Sequence, residues 1–338
     1  MTAGAEFTEA LPSYRPDKEV SGTIRFFGVS LAGMIKAWED GFHRYHPDVR
    51  FEDTFTNASA MAGLFTGVAD IGVSGREPVL TEYFSFHETF HYQPVEIPVA
   101  TGTYDVKGGS YGLVVFVHKD NPLTQLTLKQ LDGIFGSERT GGYDGFVWKS
   151  DAARSARENI RTWGQLGLGG EWADRPIQTY GYALTGMSVV FQQKVFGGGE
   201  KWNPNYREYI ETGTKQVGDD RLTAHAMLTE LSADKSGIAW SGAWQAKGFS
   251  EIKPVALAAQ AGGPFVAPTR QSFADRSYSL VRSVYLFINR PPGKPVDPTV
   301  AEFLRYVLSR EGQAAVAKRG VYFPLPGAIV GEQLKKIE

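Results

Sequence analysis

Residues 70–78, Asp70-Ile71-Gly72-Val73-Ser74-Gly75-Arg76-Glu77-Pro78, carry a short apolar strand straight into a hydroxyl, a glycine and a guanidinium. Strands of α/β proteins end this way at anions, because small residues let the backbone approach and N–H, O–H and guanidinium groups donate. Two upstream stretches repeat the device. Ile24 to Phe27 reads as a strand leading into Gly28-Val29-Ser30, and Phe51 to Phe55 leads into Thr56-Asn57-Ala58-Ser59, each followed by a helical pattern. Three strand ends deliver small polar groups, so a ligand is expected at the carboxyl edge of one sheet.

Outward from that tract the first hundred residues alternate strand and helix. The pattern predicts strand 23–27, helix 31–46, strand 50–55, helix 59–67 and strand 69–73, and hence a mostly parallel sheet flanked by helices. Another strand, Ile97 to Ala100, precedes a glycine-rich break at 102–112 and the apolar run Leu113 to Val117, where the chain is expected to leave a first lobe. Thr127 is placed to cap a helix whose Leu128, Leu131, Ile134 and Phe135 share one face. Residues 136–158 are polar and glycine-rich and read as a surface insertion carrying Arg139, Tyr143 and Trp148. Strand 177–181 then meets Thr185-Gly186-Met187-Ser188 and a helix, which repeats the first lobe's device. A helix over 220–233, strand Gly237 to Ser241, strand Ser283 to Asn289 and helices over 298–309 and 311–319 follow. The last strand and helices are expected to complete the first sheet. The expected organisation is a first lobe of 1–112 with 283–338 and a second of 113–282, joined by two crossings.

Composition bounds the partners. The chain has 338 residues, 42% of them hydrophobic, enough for two cores. Its 35 basic and 37 acidic residues nearly cancel, which leaves no broad basic field for nucleic acid or an anionic membrane. No stretch reaches the roughly 18 apolar residues of a membrane span. The start, MTAGAEFTEALPSYRPDKEV, has neither a basic n-region nor an apolar h-region and reads as a mature terminus behind a start Met. With no cysteine there are no disulfides, thiolate metal sites or cysteine nucleophiles. Neither GxGxxG nor GxxxxGK[ST] occurs at a strand-to-helix junction, so no nucleotide cofactor is indicated, and Gly197-Gly198-Gly199 follows a helix rather than opening one.

Four stretches in order give the chain a resemblance to the periplasmic phosphate-binding proteins, the solute receptors of ABC phosphate importers. They are ADIGVSGREPVLTE (69–82), LVVFVHKDNPLTQLTLKQLDGIFG (113–136), TWGQLG (162–167) with IQTYGYALTGMS, and YLFINRPPGKPVDPTVAEFLRYVLSREGQAAVAKRGVYFPLP (285–326). The resemblance implies a two-lobed, hinged α/β protein of the type II class that takes phosphate or a related small oxyanion between its lobes. It further implies a monomer outside the cytoplasm that hands its ligand to an ABC permease. Carried over position by position, the ligand residues are Ser30, Leu31, Asn57, Ala58, Ser59, Ser74, Gly75 and Arg76 in the first lobe. In the second they are Tyr182, Thr185, Gly186, Met187 and Ser188. The chain departs from the family where Leu31 and Met187 replace hydroxyls, where Tyr180-Gly181-Tyr182 replaces an arginine-bearing strand end, and where Gly75 stands near the position of a carboxylate. Glu77 is the available substitute, or else a solvent-facing group or a partner of Arg76.

Plainer readings run alongside. Ser30, Asn57, Ser59 and Ser74 are also the residue types that cap helices and form turns, and Thr185-Gly186 reads equally as a capping turn. Arg76 could bridge surface carboxylates, and Trp240 could be core. One motif points to another class. His87-Glu88-Thr89-Phe90-His91 spells H-E-x-x-H, which on an intact helix presents two imidazoles to zinc beside a glutamate base. Pro94 and a following strand argue against it, and the remaining histidines form no serine-histidine-carboxylate set.

Overall fold

The protein is described by a computed structural model covering residues 6–56, 59–183, 186–210 and 220–338. Among these, ten strands build two five-stranded sheets: β1 (Gly22–Gly28), β2 (Val49–Phe55), β3 (Ile71–Ser74), β4 (Val95–Thr101), β5 (Val114–His118), β6 (Gln178–Tyr182), β7 (Arg207–Tyr209), β8 (Gly237–Ser241), β9 (Ile252–Pro254) and β10 (Ser283–Ile288). The first sheet has the order β2-β1-β3-β10-β4 and the second β7-β6-β8-β5-β9. In each, the fourth strand runs against the other four, so both sheets are mostly parallel. The chain separates into two compact units, Met1–Ser110 with Phe273–Asp275 and Arg282–Glu338, and Tyr111–Ser272 with Arg276–Val281. The reversed strands, β5 and β10, lie a few residues after the chain enters the second unit and re-enters the first.

The helices that matter for the site are α1 (Met34–Phe42), α2 (Ala60–Phe65), α3 (Leu80–Phe90), α4 (Leu128–Phe135), α5 (Gly186–Val195), α6 (Pro298–Val307) and α7 (Arg310–Arg319). In the first unit β10 shows how the layers form. Val284, Leu286 and Ile288 join one cluster with Trp38 and Phe42 of α1 and Phe303 and Tyr306 of α6. Tyr285 and Phe287 join another with Met61 and Leu64 of α2 and Phe86 of α3. Alternate residues of a strand face opposite sides, so the sheet is covered on both, which is why its strands read as continuous apolar runs. Each large apolar side chain buried this way contributes roughly 1.5–3 kcal/mol.

Helix starts follow local chemistry. Asp297 accepts from the N–H groups of Thr299 at 2.9 Å and Val300 at 3.2 Å, with Pro298 in the first turn. Thr127 and Gln130 close a capping box at α4, the Gln130 N–H donating to Oγ1 at 3.1 Å and the Thr127 N–H to Oε1 at 2.8 Å. The helix expected over 31–46 is shorter. Leu31, Ala32 and Gly33 have φ of 50°, 54° and 76°, so α1 cannot begin before Met34. Two of those three carry side chains, and left-handed backbone costs such residues about 1–2 kcal/mol each.

In the second unit Trp240 of β8 is fully buried, its ring 5.1 Å from Phe191 and 6.2 Å from Trp202, both nearly parallel. Trp202 in turn stacks on Tyr206 at 4.3 Å. Any side chain at Gly181 would collide with the Tyr206 hydroxyl and the Trp240 indole, which accounts for a glycine between two tyrosines. The 136–158 stretch is only partly a surface excursion. Val147 and Trp148 of the hairpin Gly142–Asp144/Val147–Lys149 are about half exposed, whereas Ser137 and Arg154 are buried. Among the described residues no helix is long and apolar enough to cross a membrane.

Candidate functional site

Three strand ends of the first unit meet, because β1 pairs with both β2 and β3. The Thr56 N–H donates to the Gly28 carbonyl at 2.8 Å, and the Val29 N–H donates to the Val73 carbonyl at 3.1 Å. Gly28 is required here: its φ is 127°, and a Cβ would strike the Val73 carbonyl oxygen. The chain then turns through Ser30, whose carbonyl accepts from the Gly33 N–H at 3.0 Å, with the Leu31 side chain buried. The Arg319 guanidinium, at the end of α7, donates to the Ala32 carbonyl at 2.7 Å and braces this left-handed turn.

Ser59 caps α2 by accepting from the Met61 N–H at 3.2 Å, and its hydroxyl also bonds Glu82. Ser74 accepts from the Arg76 N–H at 3.1 Å, a turn that leaves the Ser74 proton available to donate. Arg76 is held by Glu82 in a two-pronged pair, Nη1 to Oε2 at 2.7 Å and Nη2 to Oε1 at 3.0 Å, and Nη1 also donates to the Glu77 carbonyl at 2.8 Å. A guanidinium has five N–H groups, so three bonds leave two. Glu82 accepts in addition from the Val79 N–H at 2.7 Å. Burial pushes its carboxyl up, but Arg76, Ser59 and the Val79 N–H outweigh burial and hold it below the usual carboxylate range.

Gly75 takes no side chain either, since a Cβ would strike Ser110, and its carbonyl accepts from the buried Arg282 guanidinium. The Glu77 side chain meets neither of the partners expected for it. Oε1 accepts from the Tyr285 hydroxyl at 2.5 Å, while Oε2 is buried without a hydrogen-bond partner among the described residues. Burial, joined by Glu77, raises Tyr285 well above a normal tyrosine and keeps it a donor. Asn57 and Ala58 lie outside the described residues.

In the second unit Tyr182 ends β6 and is buried, its hydroxyl 2.7 Å from Ser241 Oγ and 3.3 Å from Gln245 Oε1. Met187 and Ser188 on the first turn of α5 are buried too, and Ser188 Oγ donates back to the Ala183 carbonyl at 2.8 Å. Gly186 opens that helix, and Thr185 lies outside the described residues. The structure thus gathers Ser30, Leu31, Ser59, Ser74, Gly75 and Arg76 at one sheet edge, and buries Tyr182, Met187 and Ser188, with the Tyr182 hydroxyl turned to Ser241 and Gln245 and that of Ser188 to the Ala183 carbonyl.

H-E-x-x-H does not form a metal-binding helix face. α3 ends at Phe90 and His91 caps it at φ 62°, so the second imidazole leaves the face of the first, the rings standing 6.2 Å apart and nearly perpendicular. Among the described residues no cluster of three histidine or carboxylate groups is placed to hold a metal ion.

Sequence reasoning missed Glu82, Tyr285, Ser110 and Arg282. Glu82 had a local signal, an acid three residues after Val79 in a helix's first turn. Arg282 had none, being 207 residues from the carbonyl it meets.

A family model described as a PBP superfamily domain matches residues 19–311. The chain belongs to that superfamily. Among relatives of this PBP-superfamily chain, the phosphate-binding protein PstS of Pseudomonas aeruginosa is 31% identical over 99% of this chain and 93% of its own length. Two solved structures share the fold. The ABC-type phosphate transport receptor of Vibrio cholerae is 17% identical with a TM-score of 0.53, over 89% of this chain and all of its own. PstS of Borrelia burgdorferi is 15% identical with a TM-score of 0.54, over 90% and 99%.

Proposed function

We propose that this PBP-superfamily chain is an extracytoplasmic receptor for phosphate or a similar small oxyanion, acting as a monomer without catalysis and delivering its ligand to an ABC permease. The observation that carries the reading is the convergence of the β1, β2 and β3 ends, where small residues are sterically required and donors remain open. The 31% identical relative, named as a phosphate-binding protein, supports the choice of anion.

A desolvated oxyanion needs many short donors. In this reading they are the hydroxyls of Ser30 and Ser74, the N–H groups of the turn at Leu31 and of Gly75, the two open N–H groups of Arg76, and the segment at Asn57 to Ser59. Glu82 orients the guanidinium and does not touch the ligand. Thr185, Gly186, Met187 and Ser188 would contribute backbone N–H groups at the start of α5 as binding draws an open ensemble toward a closed one.

Titration calorimetry with phosphate, sulfate and small carboxylates, on protein unfolded and refolded to shed carried-over ligand, tests the reading. Phosphate should give saturable heat and a thermal shift. Heat from another solute alone would remove phosphate and leave a receptor of the same fold for a different ligand. One observation favours that second reading: Leu31 and Met187, both buried, bring no hydroxyl to positions that hold the turns.

A further inference from the structure

A second recess lies wholly within the second unit, beside the hairpin 142–149. It measures about 500 Å³ and is lined by Glu138, Arg139, Trp148, Arg154 and Lys201 among others. Arg139 and Arg154 exchange both backbone hydrogen bonds, each at 2.9 Å, so the two cations start directly opposite each other on an antiparallel pair. Like charges so placed are unfavourable unless something answers them. One carboxylate does. Asp132 of α4 takes Arg139 in a two-pronged pair at 2.7 Å and 2.7 Å, and stands 3.2 Å from Arg154 Nε. The side chains of Arg139, Asp132 and Arg154 are 9%, 9% and 3% exposed.

Arg154 is left incompletely matched. Nη1 donates to Asn159 Oδ1 at 2.8 Å, but Nη2 is buried with no acceptor among the described residues. At the rim Lys201 and Glu138 pair at 3.4 Å. Three cations against the two carboxylates Asp132 and Glu138 leave one positive charge over. A buried guanidinium with an open donor is costly, and an entering oxyanion relieves it. Beside Thr140 and Ser155, one part of the wall is apolar and planar: the Trp148 ring, 49% exposed, packs against Gly141, where any Cβ would meet it at 2.5 Å.

We propose that this recess binds a small organic oxyanion, a carboxylate or a phosphate monoester on a planar apolar body, with Arg154 and Lys201 taking the head group and Trp148 the body. The volume suits such a ligand. It is independent of the strand-end anion site, and the test keeps the two apart.

Calorimetry on the full chain carrying Arg76→Ala, with benzoate and phenyl phosphate as probes, should show one saturable site. Binding by both probes, or by one of them, supports the recess and tells carboxylate from phosphate. Arg154→Met should weaken it roughly tenfold or more, the loss of a charge-assisted bond, and the exposed Trp148→Ala should weaken it severalfold. No saturable heat from either probe up to about 10 mM overturns the proposal, including where an acidic peptide binds instead. If Arg154→Met fails to fold, Trp148→Ala with Lys201→Ala decides: unchanged affinity in that double variant overturns it as well.

Discussion

The carboxyl ends of β1, β2 and β3 in the first unit and the end of β6 in the second are written alike in sequence, an apolar strand followed by small polar residues and a helix. They fold to different ends. In the first unit the junctions are fixed by backbone bonds between strands, and Ser74 and Arg76 keep protons to donate. In the second, Tyr182 and Ser188 turn inward onto Ser241, Gln245 and the Ala183 carbonyl. What stands behind the strand end decides between them. Both β1 and β6 lie between two neighbouring strands that supply backbone hydrogen bonds, but β6 also ends against Trp240 and Tyr206, which leave room only for glycine at 181 and hold the Tyr182 ring inward.

The contrast can be broken most forcefully at Gly28. Gly28→Ala puts a Cβ onto the Val73 carbonyl at a left-handed position and should cost about 3 kcal/mol or more, read as a fall in thermal midpoint. A loss below about 1 kcal/mol would mean that the strand ends are not rigidly joined.

Arg76→Ala should leave the fold intact and weaken anion binding by roughly ten- to a hundredfold in calorimetry. Glu82→Gln should act in the same direction, more weakly. Unchanged affinity in Arg76→Ala would reduce the arginine to a surface ion pair.

Glu39 on α1 separates stability from binding within the first unit. Burial, with a hydrogen bond to Asp53, pushes its carboxyl up to about 7 despite Lys36 at 3.3 Å. The folded chain holds this proton more tightly than the unfolded chain, so its contribution is full below about 4.5 and is lost as pH rises through about 7. Glu39→Gln should therefore stabilise at pH 8 by on the order of 2 kcal/mol relative to its effect at pH 4, with affinity unchanged. A pH-independent difference in unfolding free energy would contradict this.

The smallest effect belongs to the second unit. Tyr182→Phe removes a buried neutral hydroxyl and should cost about 1 kcal/mol of stability while leaving anion affinity within about twofold. A tenfold loss of affinity would show that this hydroxyl serves the ligand rather than the interior.

Much of the fold was legible because its signals are short-range. The strand-helix alternation, the Thr127 cap and the return of the last strand to the first sheet all appear in the structure. The start of α1 was misread because Leu31 and Ala32, ordinary residues in a helical pattern, adopt a left-handed turn that no propensity announces. The reversed direction of β5 and β10 was likewise invisible, since pairing direction depends on strands distant in the chain.

The sequence alone determined where strands stop and what small polar groups stand there, because caps, turns and apolar periodicity act over four residues or fewer. Only the tertiary structure decided which of those groups keep a donor. Arg282 closes over Gly75 from 207 residues away, Tyr285 takes Glu77, and the aromatic stack draws Tyr182 inward. Those outcomes are set by which surfaces are desolvated together, a property of long-range packing that no local spacing encodes.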